Sequence, residues 1–552
     1  MTRPPTSSSP APPRPPSRPR RRGPVRGLAL ALALALTGAA AVVTAAPAAA
    51  ATSVTLVGHG YGHGRGMGQY GALGYAVDQG WSARTILDHY YGGTEQGVVG
   101  NTPISVRLTA LDAAPSSRVT SSQSFTVGGV RVDGGSAARV VRSGGTWALF
   151  TAFGGCGTGP EFGPYPLPAN PTVATAGDPG DDVGRMLRTC HTGAHYRGTL
   201  SFAEDGGATR VVNTLPIESY LRGVVPRESP ASWADVGGGR GLQALAAQAV
   251  AARSYALAER RYPYAQTCDT TSCQVYGGAG QDGRRTEDSR TDFAIGASAG
   301  VVRVRGGAVV RTEFSSSTGG RTTGTEFGNV QDWGDLRSPY HTWRVELAGT
   351  SVTAAYPQIG GFVALQVTRR DGQGAQGGRV LAMDVVGTAG RVGVSGDQFR
   401  VALGLRSNWF FPLQQATSAS FVKTAFSDTV YKQVSVNGWN EKVALTWADY
   451  VAEGYPAVRL MPSEVVKYSW SPGLHAVTFW PGDPMWQWDP LDAARWARAG
   501  YPAPRTAGWI LGTSYWRNGA DPVIYAQAPD GTVVPLTYAQ WQEAGFPRPE
   551  VR

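Results

Sequence analysis

Glu228 stands between two prolines, Pro226 and Pro230, just beyond a stretch in which Ile217, Leu221, Val224 and Val225 recur at helical spacing. A carboxylate on a short rigid exit, away from a solvated helix face, is placed for general acid work. Taken alone, the same residue reads equally as an exposed loop glutamate. Arg253 is a second candidate, because it interrupts the apolar stripe of the next helical stretch, midway between Ala249 and Leu257. A guanidinium there must be paired or must face a polar cleft. Pairing with Glu218 or Asp235 would make it structural; otherwise it binds substrate or tunes Glu228.

Glycine fills every second position from Gly58 to Gly68, which implies unusual backbone dihedrals or close approach by a ligand. Gly66, Gly68 and Gly71 satisfy G-x-G-x-x-G, but no strand-helix alternation surrounds them, so a dinucleotide site is not expected. His59 and His63 have the spacing of a helical metal pair on a segment too rich in glycine to be a helix, and they are expected to line a cleft or bond locally. The cysteines number four, an even count suited to disulfides in an oxidising compartment. Cys156 and Cys190 are the natural long-range pair; Cys268 and Cys273 either pair locally or hold a metal.

The elements that must position these groups are two helices in a β-patterned region. Pro216 opens the first. The second begins after Gly241, carries Leu242, Leu245, Ala246, Ala249, Val250 and Leu257 on an apolar stripe, and ends before Pro263. Alternation predicts strands at Ile104 to Leu108, Val130 to Val132 and Val301 to Val304. The expected class is α+β, a β-rich domain with two prominent helices. Behind residue 412 the composition shifts: ten of the sixteen tryptophans and all four lysines lie there. Leu445 to Pro456 recurs as Leu491 to Pro502 and as Leu536 to Pro547. Each copy predicts a short helix stopped by Gly and Pro after a β-rich segment, the pattern of an array that binds or spaces.

The formal charge of +10 suggests a polyanionic partner, yet seven arginines lie ahead of residue 30 with no acidic residue among them, and taking those seven from +10 leaves +3. Nucleic acid is therefore not an expected partner. The arginine-rich start up to Arg26, the apolar run from Leu28 to Val43 and the small residues to Ala51 predict a signal peptide over residues 1–51, cut near Ala49 to Ala51. An uncleaved anchor is the alternative. The chain is thus expected to be secreted, extracellular or wall-associated, with no stable membrane span after cleavage.

The stretch VVNTLPIESYLRGVVPRESPASW, followed by GLQALAAQAVAARSY, resembles the core signature of the sporulation stage II protein D family, related to the LytB-type amidase enhancers. Three further segments resemble family blocks in order: Cys268 to Tyr276, the serine-glycine loop Glu313 to Thr322, and Val394 to Phe410. The glycine-rich block Gly58 to Ala72, with Ile86 to Tyr91, resembles the segment that closes the sporulation protein's domain, but here it comes first. Residues 53–412 are accordingly expected to form one circularly permuted domain, with residues 413–552 as a Trp-rich repeat module that could bind wall or carbohydrate.

What the resemblance implies is lytic transglycosylase chemistry on peptidoglycan glycan strands, with Glu228 as the single acid. Gln248, Arg253, Ser315, Ser316, His63 and Gln69 are the expected substrate-binding positions. A hydrolase pairing Glu228 with Glu313 or Glu326 is one rival; a non-catalytic wall-binding protein or enhancer, with a cell-wall amidase as partner, is another. Some relatives hold zinc through two cysteines and two histidines. Here Ser272 stands beside the second cysteine and no histidine precedes the pair between Arg260 and Gln266. A Cys268 to Cys273 disulfide is expected and no cofactor is required, with zinc as the alternative.

Overall fold

The structure is a computed structural model that describes residues 53–112, 116–157, 159–324, 326–413, 418–436, 439–480, 487–547 and 549–552. The expected signal segment, residues 1–51, lies outside the described residues. The class is α+β. Five helices matter for the site: α1 (Gln69–Asp78), α2 (Ala83–Tyr90), α3 (Ile217–Glu228), α4 (Leu242–Ala258) and α5 (Ser289–Ala297).

Strand Ala208–Pro216 runs straight into α3 and pairs on its two sides with Thr199–Asp205 and Pro103–Arg107, both antiparallel, within a seven-stranded sheet. Ile217, Tyr220, Leu221, Val224 and Val225 form the apolar face of α3, and all five are fully buried. That face joins one apolar cluster with residues of the seven-stranded sheet, of a second sheet of eight strands that supplies Trp147 and Leu149, and of α4. Each such aliphatic side chain contributes about 1.5–3 kcal/mol of burial.

Two expectations about the helices change. Glu228 was expected beyond the helix end, but α3 runs through Pro226 and Glu228 is its last residue. Pro226 lies in the final turn, so it removes one ladder bond without breaking the helix; the Ser229 N–H to Val225 carbonyl bond closes it. The stripe expected on α4 is also too narrow, since every residue from Ala247 to Ala256 is buried. Ala249, Ala252 and Ala256 face the sheet cluster, whereas Ala244, Leu245, Ala247, Val250 and Ala251 face a second cluster built on α1 and α2. Alanine's small side chain allows elements to pack close on both sides of α4.

The first described strand, Ser53–His59, is the centre of a three-stranded sheet, antiparallel to both Thr342–Ala348 and Phe410–Pro412. The two ends of the 53–412 region therefore lie side by side, with Gly58 opposite Phe410 and Leu56 opposite Pro412. Beyond them come three four-stranded sheets of like strand order, each with a short helix: Trp447–Ala452, Ala493–Arg498 and Tyr538–Glu543. Trp480 and Trp516 are buried there, while Trp447 and Trp509 are exposed. Among the described residues, no helix is long and apolar enough to cross a membrane.

Candidate functional site

Three chain segments converge on Glu228. Its own position at the end of α3 is set by the buried face of that helix. The second segment brings Val275, whose backbone N–H donates to Glu228 Oε1 at 2.9 Å. This segment is anchored on both sides of Val275: Tyr220 Oη donates to Gln274 Oε1 at 3.0 Å, and Tyr276 Oη donates to Asn213 Oδ1 at 2.7 Å. The third segment is the start of α1, where Gln69 Nε2 donates to Glu228 Oε2 at 3.3 Å.

The electrostatics follow from this arrangement. Burial pushes the Glu228 carboxyl up from its ordinary value, and the two donors, which favour the carboxylate, offset that only in part. With Oε1 engaged by Val275, the proton of the acid form belongs on Oε2. A glutamine is well chosen to face that oxygen, because its amide donates to a carboxylate and, turned over, accepts from a carboxylic acid.

The glycine-rich block explains how Gln69 arrives there. Gly60, Gly62, Gly64 and Gly66 all have positive φ. At Gly66 a side chain would also strike the Glu313 carbonyl, 1.9 Å from where its Cβ would lie. The alternation thus serves unusual dihedrals and close packing against the protein's own backbone. Met67 and Gly68 then pair in parallel with Phe314 and Ser315, and Tyr70 N–H donates to the Ser316 carbonyl at 3.0 Å, which fixes the first turn of α1 on the serine-glycine loop. That loop is held in turn by Asp335, which accepts from Ser317 Oγ, Thr318 N and Gly319 N.

The other expected site residues separate into groups. Ser315 and Ser316 hold the segment that carries Gln69, and Ser315 Oγ is buried without a hydrogen-bond partner. Gln248 is buried on α4, with neither amide atom hydrogen-bonded and no bond to Glu228. Arg253 takes the structural alternative. It is fully buried, donates from Nε and Nη2 to the two oxygens of Glu218 at 2.8 and 2.7 Å, and gives Nη1 to the Val301 carbonyl at 2.9 Å. A guanidinium so enclosed does not reach a substrate, so the expected substrate-binding role is corrected to a structural one. His63 bonds locally, its Nδ1 accepting from Arg65 N at 3.0 Å. Burial, with the neighbouring Arg65 charge, lowers its pKa to about 4 and keeps the ring neutral.

The carboxylates proposed as partners for Glu228 are engaged elsewhere. Glu313 meets Arg65 at 2.6 Å and Arg311 at 2.7 Å; burial pushes its carboxyl up, but Arg65 and Arg311 outweigh that and hold it below the ordinary value. Glu326 lies half-exposed, 3.7 Å from Arg305. No carboxylate is hydrogen-bonded to Glu228 among the described residues.

Cys156 is joined to Cys190 and Cys268 to Cys273. Sulfurs bonded to each other offer no thiolate, and Ser272 occupies the position beside Cys273, so this donor set does not fit tetrahedral zinc. Among the described residues, no group of three or more His, Cys, Asp or Glu side chains is placed to hold a metal ion.

Sequence reasoning did not find Val275, whose contribution is a backbone N–H with no side-chain signature. It also passed over the buried pair Asp332 and Asp335, polar residues in an otherwise ordinary stretch. Their spacing before Ser338 offered no signal beyond a turn.

Residues 205–304, which include Glu228, Gln248, Arg253 and both Cys268 and Cys273, match the Stage II sporulation protein (SpoIID) family. An uncharacterised protein of Brachyspira hyodysenteriae is 33% identical over 139 residues, which are 24% of this chain and 34% of that protein. An amidase enhancer of Bacillus subtilis is 39% identical over 102 residues, 18% of this chain and 12% of that protein. The matched parts thus span about a third of the first relative and about an eighth of the second. No solved structure matches. The chain carries a SpoIID/LytB-type domain.

Proposed function

We propose that this protein is exported to the cell wall and cleaves the linkage between N-acetylmuramic acid and N-acetylglucosamine in peptidoglycan as a lytic transglycosylase. The observation that carries this reading is the environment of Glu228: one carboxyl, shielded enough to be raised and held by Val275 and Gln69, while the two carboxylates expected as its partners, Glu313 and Glu326, lie against arginines. Ordinary glycosidases need a spaced carboxylate pair. A transglycosylase needs one group, because the nucleophile belongs to the substrate.

In this mechanism protonated Glu228 gives its proton to the glycosidic oxygen as the bond to the muramic C1 breaks. The resulting carboxylate then takes the proton of the muramic C6 hydroxyl, whose oxygen attacks C1 and closes a 1,6-anhydro ring. The proton returns to Glu228, so the cycle balances without water. A raised pKa serves the first half, and the retained donors serve the second. The disulfide between Cys268 and Cys273 ends two residues before Val275, and the site works without zinc.

The adjacent termini of the 53–412 region support its reading as a circularly permuted domain. Residues 413–552 act as three copies of one unit that hold the wall through exposed aromatic residues such as Trp447 and Trp509. A chain ending at residue 412 should pellet poorly with purified walls; full pelleting would remove this role.

A second reading rests on the similarity to an amidase enhancer: the Glu228 site grips glycan and the protein stimulates a cell-wall amidase without cutting. Glycan strands stripped of stem peptides, incubated with wild-type protein and with Glu228→Gln, separate the two. Loss of product in the variant supports catalysis. Equal trace release by both proteins, with amidase stimulation intact, supports the enhancer.

A further inference from the structure

The serine loop that seats Gln69 also organises a row of tyrosines that begins at Tyr70, the next residue in the chain. Ser316 O receives the Tyr70 N–H, and Ser317 exchanges backbone hydrogen bonds with Tyr61 in both directions, at 2.8 and 3.0 Å. Tyr340 lies between the two rings: its centroid is 6.5 Å from Tyr70 and 5.0 Å from Tyr61. Trp233 closes the inner end, 5.0 Å from Tyr70. Burial is graded along the row, from Trp233, which is buried, through Tyr70 and Tyr340, which are partly so, to Tyr61, which is 43% exposed.

One cation accompanies the row. The Arg406 guanidinium sits 5.1 Å from the Tyr340 ring centroid, and the Arg406 carbonyl accepts from Gly62 N at 2.9 Å, so it is tied to the same loop as Tyr61. No carboxylate forms an ion pair with it among the described residues, whereas Arg65, Arg253, Arg303, Arg311 and Arg337 are all paired. A partly exposed guanidinium stacked on an aromatic ring keeps its fork of donors available for a planar anion.

We infer that Tyr70, Tyr340 and Tyr61 form a sugar-binding track continuous with the Glu228 site, and that Arg406 reads a carboxylate carried by the strand lying on it. Aromatic rings offer apolar area to sugar faces at low entropic cost, with hydroxyls at the edge for hydrogen bonding. The ligand class is an oligosaccharide bearing carboxylates at intervals. The carboxylate has two sources in peptidoglycan, the lactyl ether of muramic acid or an attached peptide. This inference rests on the glycan reading of the site, but its test does not require cleavage.

The experiment measures binding by calorimetry to the full-length Glu228→Gln protein, which should hold ligand uncut. Three probes are used: a muramic-acid-containing tetrasaccharide with free lactyl carboxylates, the same tetrasaccharide carrying stem peptides, and chitotetraose, which is neutral. Tyr61→Ala and Tyr340→Leu should each weaken all three. Arg406→Gln should weaken the carboxylate-bearing probes by about tenfold, the scale of a charge-assisted contact, and leave chitotetraose unchanged. The probe that loses more affinity identifies the source of the carboxylate. Unchanged affinities in the correctly folded Tyr61 and Tyr340 variants, or equal weakening of chitotetraose by Arg406→Gln, would overturn the inference. If binding behaves as expected but wild-type protein leaves strands uncut, the track stands and the proposed catalysis fails.

Discussion

Gln69 and Glu228 lie 159 residues apart in the chain and meet through a 3.3 Å hydrogen bond from an amide to a carboxylate. The contact joins the glycine-rich block near residue 60 to the helix end that carries the acid. It also sets the balance of Glu228, since burial raises the carboxyl and Gln69 works against that rise.

Gln69→Leu removes a donor that favours the carboxylate, so the Glu228 pKa should rise further. A general acid acts while protonated, and activity falls as pH passes upward through its pKa. The alkaline limb of kcat/KM should therefore move to higher pH in this variant, with a lower plateau from lost positioning. A pH–rate profile checks this, and an unmoved limb would show that Gln69 does not act on the acid.

Arg253 is fully buried and pairs with the partly exposed Glu218, so Arg253→Met should leave Glu218 without its charge partner and cost about 1–3 kcal/mol of stability. Denaturant unfolding measures the loss. If Arg253 instead bound substrate, stability would hold and ligand affinity would fall.

Asp332 is fully buried; burial, with the nearby Asp335 charge, raises its pKa to about 8. Below its unfolded value of about 3.9 both states hold the proton; between there and about 8 the folded state keeps a proton that the unfolded chain releases. Stability from this group is therefore full at low pH and is lost as pH rises toward 8. Asp332→Asn should make the thermal midpoint less dependent on pH between 5 and 8. An unaltered slope would mean that Asp332 is ionised in the folded protein.

Chelation and loss of the disulfide should act differently on the site. With Cys268 and Cys273 joined to each other, a chelator should leave activity unchanged, whereas Cys268→Ser with Cys273→Ser should lower it by loosening the segment that delivers the Val275 N–H. Loss of activity on chelation, restored by zinc, would reverse this assignment.

The helices were readable because their signals are local. Pro216, Gly241 and the spacing of Ile217, Leu221, Val224 and Val225 specify where α3 and α4 begin and which face of α3 is buried. The position of Glu228 relative to its helix was misjudged because a proline in the last turn removes one bond without ending the helix. Arg253 stood at a correctly suspected position, but choosing among its partners needed Glu218 brought to it across two helices. Val275 and two of the three Asp335 contacts to the serine loop act through backbone groups, which no side-chain pattern records.

The chemical form of the sugar end tests the central assignment most directly. Wild-type protein and Glu228→Gln are incubated with glycan strands stripped of stem peptides, and the released ends are identified by mass spectrometry. The expected result is 1,6-anhydro muramic ends from wild type and none from the variant. Reducing, non-anhydro muramic ends, or anhydro ends released equally by the variant, would contradict a lytic transglycosylase acting through Glu228.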